Sequence, residues 1–255
     1  MKKKHLLDLT VKGLERINEK YILIRLTDSA PLPDMEPGQF VELRIDGSKT
    51  TFLRRPISIC YVDEAQRRLW LLIRKAGEGT SALLKTPVGS VLNLVLPLGN
   101  GFSTDFEGDA LLIGGGVGVA PLLQLGKTLH QKGKKVKFLL GARTASDLLL
   151  PDEFRRWGEV YVTTEDGSAG EKGFVTQHPI LQSPVSHLAC CGPLPMMKAV
   201  AAIARSKELN CEVSLENMMA CGLGACLCCV EDTADSGHVC VCKEGPVFNI
   251  HRLKW

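Results

Sequence analysis

The sequence has few aromatic residues, little net charge and no long apolar run. Aromatic residues make up 5% of the chain, and 31 Lys and Arg residues nearly balance 28 Asp and Glu residues, for a formal net charge of +3. So small and scattered a positive charge does not indicate a nucleic-acid groove or an anionic membrane surface. The least polar stretch, residues 110–126, is broken by glycines and a proline and is shorter than the roughly 20 apolar residues of a membrane helix. We therefore expect neither nucleic acid nor a membrane as a partner.

The sequence also lacks the apolar core of an export signal. Three lysines lie within residues 1–4, but only Leu6 and Leu7 follow before Asp8. The apolar share of 45% and the charged share of 23% are typical of an ordinary globular protein, and 255 residues suffice for two compact domains and a small appendage. We therefore expect a folded, cytoplasmic protein.

Ten cysteines are present, and six of them lie between Cys221 and Cys242. Because no export signal is present, metal ligation explains this crowding better than disulfide bonds. Cys221, Cys226 and Cys229 follow the pattern C-x4-C-x2-C, and Cys242 comes thirteen residues later. This is the plant-type ferredoxin spacing for a [2Fe–2S] cluster.

Four thiolates also suit a structural zinc site. Zinc sites usually use two C-x2-C pairs, whereas the first gap here is four residues long and contains Gly222 and Gly224, which allow a tight backbone around a cluster. The spacing thus favours iron and sulfide. Cys228 and Cys240 are surplus, and Cys240 is expected on the same strand face as Cys242, so the residues alone leave the last ligand open between these two.

The predicted secondary structure changes along the chain. Short alternating strands separated by Gly and Pro, such as 21–26 and 69–74, predict an N-terminal antiparallel β-barrel over residues 1–102. A strand at 110–113, a helix at 121–131 and a strand at 136–140 then predict parallel pairing in a Rossmann-like α/β domain over 103–209. Residues 210–255 hold most of the cysteines and are too few for an apolar core of their own. The expected fold class is multidomain β plus α/β.

Three segments have the composition of phosphate-binding motifs. Arg55 and Ser58 lie at the end of a barrel strand, and the glycine turn at 77–79 precedes two hydroxyl residues at a predicted helix start. Each is weak alone, because without the rest of the chain an ordinary hairpin turn at 77–79 and a surface charge at Arg55 are the favoured interpretations. The glycines of 114–118 lie between a predicted strand and a helix, which is the context of a dinucleotide-binding turn.

Together, four motifs resemble the ferredoxin-NADP reductase superfamily: R-P-I-S at 55–58, G-E-G-T at 77–80, G-G-G-V-G-V-A-P at 114–121 and C-G-P at 191–193. The segments 219–230 and 241–248 are more specifically similar to the electron-transfer subunits of NAD-dependent dihydroorotate dehydrogenases. The resemblance covers nearly the whole chain. It implies an FAD domain at 1–102, an NAD domain at 103–209 and a [2Fe–2S] domain at 210–255.

The resemblance also implies individual site residues. FAD contacts are expected at Arg55, Pro56, Ile57, Ser58, Leu72, Ile73, Arg74, Gly79 and Thr80. NAD is expected against Gly114, Gly115, Gly116 and Gly118, with Cys191 and Gly192 near the nicotinamide. The cluster ligands are expected to be Cys221, Cys226, Cys229 and Cys242, so the family pattern favours Cys242 over Cys240.

The function that follows is electron transfer in pyrimidine biosynthesis. The resemblance implies an FMN-containing dihydroorotate dehydrogenase catalytic subunit as partner, in a heterotetramer with two copies of each chain. Electrons would pass from that subunit through the cluster and FAD to NAD⁺. Three cofactor domains occupy all 255 residues and leave none for an organic substrate, which agrees with a separate electron donor. We assign no general acid or base.

Other interpretations of the sequence predict different partners or a different bound metal. A related flavin and iron–sulfur subunit of an NADH-dependent ferredoxin:NADP oxidoreductase or of a sulfhydrogenase shares the architecture, but the first of these usually has aspartate where this chain has Cys221. A free-standing reductase would need no permanent complex. A zinc-bound regulatory subunit would be colourless. The residues do not decide between NAD and NADP, since Arg143 fits a 2′-phosphate or an exposed loop equally well.

Overall fold

The computed structural model describes residues 3–48 and 50–255. Met1 and Lys2, part of the lysine-rich start, lie outside the described residues. The chain forms two compact units: the first contains residues 1–101, 216–231 and 238–246, and the second contains 102–215, 232–237 and 247–255. Residues 210–255 are therefore divided between both units. None of the described helices is long and apolar enough to cross a bilayer.

In its described residues, the first unit contains a curled antiparallel sheet of seven strands, with one short helix between the sixth and seventh strands. The strands are β1 (His5–Arg16), β2 (Tyr21–Thr27), β3 (Phe40–Leu43), β4 (Arg55–Ser58), β5 (Tyr61–Asp63), β6 (Arg68–Arg74) and β7 (Val91–Leu98), and the helix is α1 (Glu78–Leu83). Their order is β4-β3-β7-β1-β2-β6-β5, and every pair is antiparallel. The barrel predicted from the alternating strands is confirmed, including strands at 21–26 and 69–74.

Alternation places one face of this sheet in an apolar core. Leu9, Ile22, Ile24, Val41 and Leu71 have no exposed surface and belong to one contiguous cluster. Because side chains alternate between faces along a strand, Glu42 on the same strand as Val41 points away from this core. Gly222, between Cys221 and Cys226, lies against this opposite face, because a Cβ atom there would be 2.6 Å from Glu42 Cγ.

The second unit contains the parallel sheet. Its elements are β8 (Ala110–Gly115), α2 (Ala120–Gln131), β9 (Val136–Ala142), α3 (Pro151–Arg155), β10 (Glu159–Thr164), β11 (Glu171–Lys172), β12 (His187–Cys191), α4 (Leu194–Ser206), β13 (Asn210–Ser214) and β16 (Val247–Asn249). The order is β11-β10-β9-β8-β12-β13-β16, parallel except for the last pair. The predicted strand, helix and strand at 110–140 are confirmed, and with them the Rossmann-like α/β fold.

The remaining elements carry the last cysteines. β14 (Val230–Thr233) and β15 (Gly237–Cys240) form a two-stranded sheet, and the short helix α5 (Val241–Glu244) follows at once. Cys242 therefore lies in a helical turn, and the prediction that it shares a strand face with Cys240 is wrong. The side chain of Asn100 donates hydrogen bonds to the carbonyls of Lys243 (3.1 Å) and Glu244 (3.0 Å), which helps to hold this turn.

Candidate cofactor sites

The two weak motifs of the first unit, Arg55 and the glycine turn at 77–79, lie next to each other. β4 begins at Arg55 on the edge of the sheet, and α1 begins after Gly77. A Cβ atom placed on Gly79 would lie 3.0 Å from Thr51 Cγ2 and 3.3 Å from Arg55 Nε, so a side chain here would be tightly packed, and the glycine backbone lies close to the guanidinium. The start of a strand and the start of a helix, 23 residues apart in the sequence, thus bring a cation beside the first amides of the helix.

A cavity opens at this contact. It has a volume of about 380 Å³ and is lined by Thr50, Thr51, Arg55 and residues 76–80. A second cavity of about 760 Å³ shares Thr50 and Glu78 with it. The Thr80 hydroxyl accepts hydrogen bonds from the Ala76 and Gly77 amides and holds the turn rather than pointing free into the cavity. A guanidinium beside a glycine turn suits the pyrophosphate of a dinucleotide.

The other residues expected near FAD lie on the same sheet. Pro56, Ile57 and Ser58 continue β4 and are half-buried. Leu72 and Ile73 are buried on β6, so they can offer only their backbone or packed side chains, whereas Arg74 is exposed at the end of that strand. Thr51, which packs on Gly79, was missed by the sequence reasoning because nothing in its local sequence distinguishes it.

The cysteine loop of the first unit is shaped by two glycines in the left-handed region. Gly222 has φ +66° and Gly224 has φ +82°, which L side chains rarely adopt. The loop then reverses tightly enough for its own amides to face cysteine sulfur. Cys229 and Cys242 are buried, Cys221 is half-buried and Cys226 is exposed.

Four backbone amides donate to three of the predicted ligand sulfurs. Cys221 Sγ accepts from the Leu223 amide (3.3 Å) and the Ala225 amide (3.4 Å). Cys242 Sγ accepts from the Gly224 amide at 3.1 Å, and Cys229 Sγ accepts from the Cys242 amide at 3.4 Å. Such donors stabilise negative charge on sulfur and are typical of the surroundings of iron–sulfur clusters.

The electrostatics favour a thiolate at Cys221, whereas burial and the neighbouring Cys229 raise the pKa of Cys242 to about 12. Burial alone would raise the pKa of Cys221, but the amides of Leu223, Cys226 and Ala225 outweigh it and lower the pKa of that thiol to about 6. A ligand thiol must be deprotonated before it binds a metal. Among residues 3–48 and 50–255 no three His, Cys, Asp or Glu side chains are close enough to hold one metal ion, so the fit to a cluster depends on the amide donors and the spacing.

Glu42 is a buried acid beneath this loop that the sequence reasoning missed. It is 1% exposed on β3, and neither carboxylate oxygen has a hydrogen-bond partner among the described residues. Burial raises the pKa of Glu42 to about 7, the neighbouring Cys221 raises it further, and Arg54 and Arg55 oppose the shift. A lone acid in the otherwise apolar run Phe40–Leu43 was the available signal.

The glycine motif of the second unit lies where the strand order reverses. In chain order the parallel strands run outward from β8 through β9 to β10 on one side and through β12 to β13 on the other. Ligands of open α/β sheets bind at this reversal, outside the carboxyl ends of the strands. Gly114 at the end of β8 pairs with Cys191 at the end of β12, so the two predicted NAD segments are neighbours.

The backbones of these segments are in direct contact. A Cβ atom on Gly118 would lie 2.5 Å from the Cys191 carbonyl oxygen and 2.6 Å from Gly192 Cα. One on Gly115 would lie 2.6 Å from Met196 Sδ, and one on Gly192 would lie 2.6 Å from Met196 Cε. Gly118 within the turn Gly116–Val119 therefore has no room for a side chain, and the turn leads directly into α2, whose first amides suit a phosphate. Arg143 is exposed just past β9 at the same carboxyl edge.

Family models match two parts of the chain. The iron–sulfur cluster binding domain of dihydroorotate dehydrogenase B matches residues 216–254, and the oxidoreductase NAD-binding domain matches residues 112–202. The first range contains all four predicted ligands, and the second contains the glycine motif and Cys191.

Similar proteins cover nearly the whole chain. The dihydroorotate dehydrogenase B (NAD⁺) electron transfer subunit of Bacillus velezensis is 41% identical over 99% of both chains, and that of Lysinibacillus sphaericus is 42% identical over 84% of this chain and 86% of its own. Among solved structures, that of an NADH-dependent reduced ferredoxin-NADP oxidoreductase has a TM-score of 0.88 at 28% identity, over 97% of this chain and 90% of that one. A ferredoxin NADP⁺ reductase from Neisseria gonorrhoeae with bound FAD and NADP, 16% identical with a TM-score of 0.66 over 79% and 91%, shares the fold. Sequence, fold and cysteine spacing agree, and the chain belongs to the family of dihydroorotate dehydrogenase B (NAD⁺) electron transfer subunits.

Proposed function

We propose that this chain transfers electrons from an FMN-containing dihydroorotate dehydrogenase subunit to NAD⁺ through a [2Fe–2S] cluster and FAD. The observation that carries the proposal is the set of amide donors around Cys221, Cys229 and Cys242, in the unit that also contains the contact of Arg55 with Gly79. One compact unit thus offers residues for both redox groups.

The cluster is assigned to Cys221, Cys226, Cys229 and Cys242, at residues 210–255 of the sequence. The loop amides stabilise the ligand thiolates, and Gly222 and Gly224 give the backbone the reversal that this requires. When bound, the cluster supplies one-electron transfer and FAD supplies two-electron transfer, including hydride exchange with nicotinamide.

FAD is assigned to residues 1–102. Arg55 and the α1 amides at Gly79 and Thr80 would hold the pyrophosphate, while Pro56, Ile57 and Ser58 of β4 and Leu72, Ile73 and Arg74 of β6 would contact the remainder. A cationic side chain and free amides are the groups that bind a phosphate diester. No proton transfer is assigned to any of these residues.

NAD is assigned to residues 103–209. The amides of the turn at Gly114, Gly115, Gly116 and Gly118 would face its pyrophosphate, with Cys191 and Gly192 at the nicotinamide. The close packing of Gly118 on Cys191 supports this assignment, because any side chain there would fill the space between the two segments.

The proposed partner is a catalytic subunit that carries FMN, in a heterotetramer of two copies of each chain, in the cytoplasm. The relatives of this chain are named electron transfer subunits, which implies a catalytic subunit.

An anaerobic preparation of the full chain tests the proposal. We expect flavin bands over a broad iron–sulfur absorbance, with about two irons, two sulfides and one FAD per chain. Co-expression with the dihydroorotate dehydrogenase subunit of the same organism should give a stable complex that reduces NAD⁺ with dihydroorotate. A colourless, zinc-containing chain would refute the cofactor assignment, and a coloured chain that forms no such complex would refute the partner alone.

A further inference from the structure

Arg54 is a half-buried arginine next to Arg55, the cation assigned to the FAD pyrophosphate. Its Nη1 donates to the backbone carbonyls of Glu42 (3.2 Å) and Asn93 (3.0 Å), and its Nη2 donates to the side-chain oxygen of Asn93. Glu42 belongs to β3 and Asn93 to β7, so one guanidinium bonds to two neighbouring strands of the sheet. Because a guanidinium has several donors in a fixed plane, these bonds anchor the backbone that carries Arg54.

Asn93 extends these contacts to a third strand. It is 7% exposed, a buried polar residue in the otherwise apolar strand Val91–Leu98. Its Nδ2 donates to Asp8 Oδ1 at 2.7 Å, and Asp8 is its cross-strand partner on β1. A buried amide is costly unless it is hydrogen-bonded, and here Arg54 satisfies the amide oxygen and Asp8 the amide nitrogen. We call these three residues the Asp8–Arg54 network.

The Asp8–Arg54 network leads to the guanidinium of Arg55. Arg55 Nη1 donates to the backbone carbonyls of Leu53 and Arg54, at 3.1 Å each. The Arg54 side chain thus anchors the backbone just before β4, and that backbone provides the acceptors that orient the Arg55 guanidinium. Nε of the same guanidinium lies close to Gly79, near the start of α1. The position of the Arg55 charge therefore depends on the anchor at Arg54.

We propose that Arg54 is a positioning residue for FAD binding: the Asp8–Arg54 network holds the Arg55 guanidinium where the pyrophosphate binds. The inference rests on the proposed function, because the pyrophosphate is assigned to Arg55 there. A guanidinium that is already oriented binds a phosphate more tightly, since a free arginine side chain loses rotamer freedom when it binds. The Arg54 side chain bonds to the protein rather than to the ligand, so its effect on FAD passes through Arg55.

A double-mutant cycle tests this proposal, because it measures whether Arg54 acts through Arg55. The full chain would be prepared as wild type, Arg54→Gln, Arg55→Gln and Arg54→Gln/Arg55→Gln. Each protein would be freed of flavin and titrated with FAD, and the quenching of FAD fluorescence would give the Kd. We expect Arg54→Gln to weaken FAD binding about tenfold, which corresponds to about 1.4 kcal/mol. The double variant should bind FAD as Arg55→Gln does, because the residue that Arg54 positions is already gone.

Asp8→Ala provides a second cycle at an exposed residue, which serves if Arg54→Gln does not fold. It removes the carboxylate that accepts from Asn93, so FAD should bind about threefold more weakly. This loss should vanish in the Arg55→Gln background. Arg16→Gln, at an exposed arginine on β1, is the control and should bind FAD as the wild type does.

Two results would overturn the proposal. Unchanged FAD affinity in Arg54→Gln, or in Asp8→Ala where Arg54→Gln does not fold, would mean that Arg55 is oriented without the network. Losses that multiply in the double variants would mean that the network acts independently of Arg55, on FAD directly or on the fold as a whole. A wild-type chain that binds no FAD would instead refute the proposed function itself, which separates the two failures.

Discussion

The side chain of Glu42 lies against the backbone of Gly222. A Cβ atom at Gly222 would fall 2.6 Å from Glu42 Cγ and 3.0 Å from Glu42 Oε1. The cysteine loop therefore rests on a buried carboxyl group of β3, and β3 pairs with β4, where the flavin is assigned, through Glu42 and Pro56. The loop, the acid and the proposed flavin strand form one connected structure within the first unit.

Gly222→Ala should lower the iron content of the chain by more than the strain of a left-handed backbone alone would. Gly222 has φ +66° and Gly237 has φ +68°, but no atom of the described part of the chain lies within 4 Å of a Cβ atom on Gly237. Each substitution carries a left-handed backbone cost of about 1–2 kcal/mol. Only the first also clashes with Glu42, so we expect iron content to fall in Gly222→Ala and to stay near two per chain in Gly237→Ala. Equal iron content in the two variants would show that the contact with Glu42 has no effect on the loop.

Glu42→Gln should flatten the pH dependence of stability. Burial raises the pKa of Glu42 from 4.5 to about 7, so the folded state holds the proton more tightly than the unfolded state. The stability of the wild type should therefore fall as the pH rises from about 4.5 to 7, by about 3 kcal/mol at 1.36 kcal/mol per pKa unit, and then level off. Glutamine does not titrate in this range, so the stability of Glu42→Gln should lack this pH dependence.

The measurement is the free energy of unfolding of both proteins between pH 5 and pH 8. The wild type should lose stability relative to Glu42→Gln across this range, because only the wild type has to charge a buried carboxyl. Parallel curves would mean that Glu42 does not titrate in this window.

Arg55→Gln should release FAD. The guanidinium lies beside Gly79 at the cavity lined by α1, and a charged hydrogen bond contributes about 1.5–3 kcal/mol. That corresponds to roughly ten- to hundredfold weaker binding. FAD per chain after desalting, and the Kd for added FAD, measure the effect. Arg16→Gln, an exposed arginine on β1, is the control and should keep its flavin. Undiminished FAD in Arg55→Gln would remove this residue from the site.

The sequence was sufficient to predict those parts of the structure that residues adjacent in the chain determine. The spacing of Cys221, Cys226 and Cys229, with glycines between them, already contains the loop geometry, because adjacent residues provide both the sulfurs and the amides. Likewise, a buried strand followed by glycines and a helix predicted β8 and α2, since the turn between them is built from consecutive residues.

The sequence was insufficient where distant residues decide the structure. Apolar and β-favouring residues around Cys242 predicted a strand, but the side chain of Asn100 binds the carbonyls of the turn that forms instead, and that contact crosses more than 140 residues. The same applies to Glu42, whose burial depends on a loop far along the chain. Long-range contacts of this kind override local propensity.

Gly118→Ala should weaken NADH binding while leaving both other cofactors in place. A Cβ atom there would lie 2.5 Å from the Cys191 carbonyl oxygen, and both contacting groups are backbone that cannot turn aside. The turn and the Cys191–Gly192 segment must therefore separate, which changes the positions of the amides assigned to the pyrophosphate. Steady-state oxidation of NADH with ferricyanide should show a KM raised about tenfold or more, since a loss of 1.4 kcal/mol is enough for this. Gly13→Ala, at a glycine with open space around it in the other unit, should behave as wild type. If Gly118→Ala keeps a normal KM with normal FAD and iron, the nucleotide does not bind at this turn.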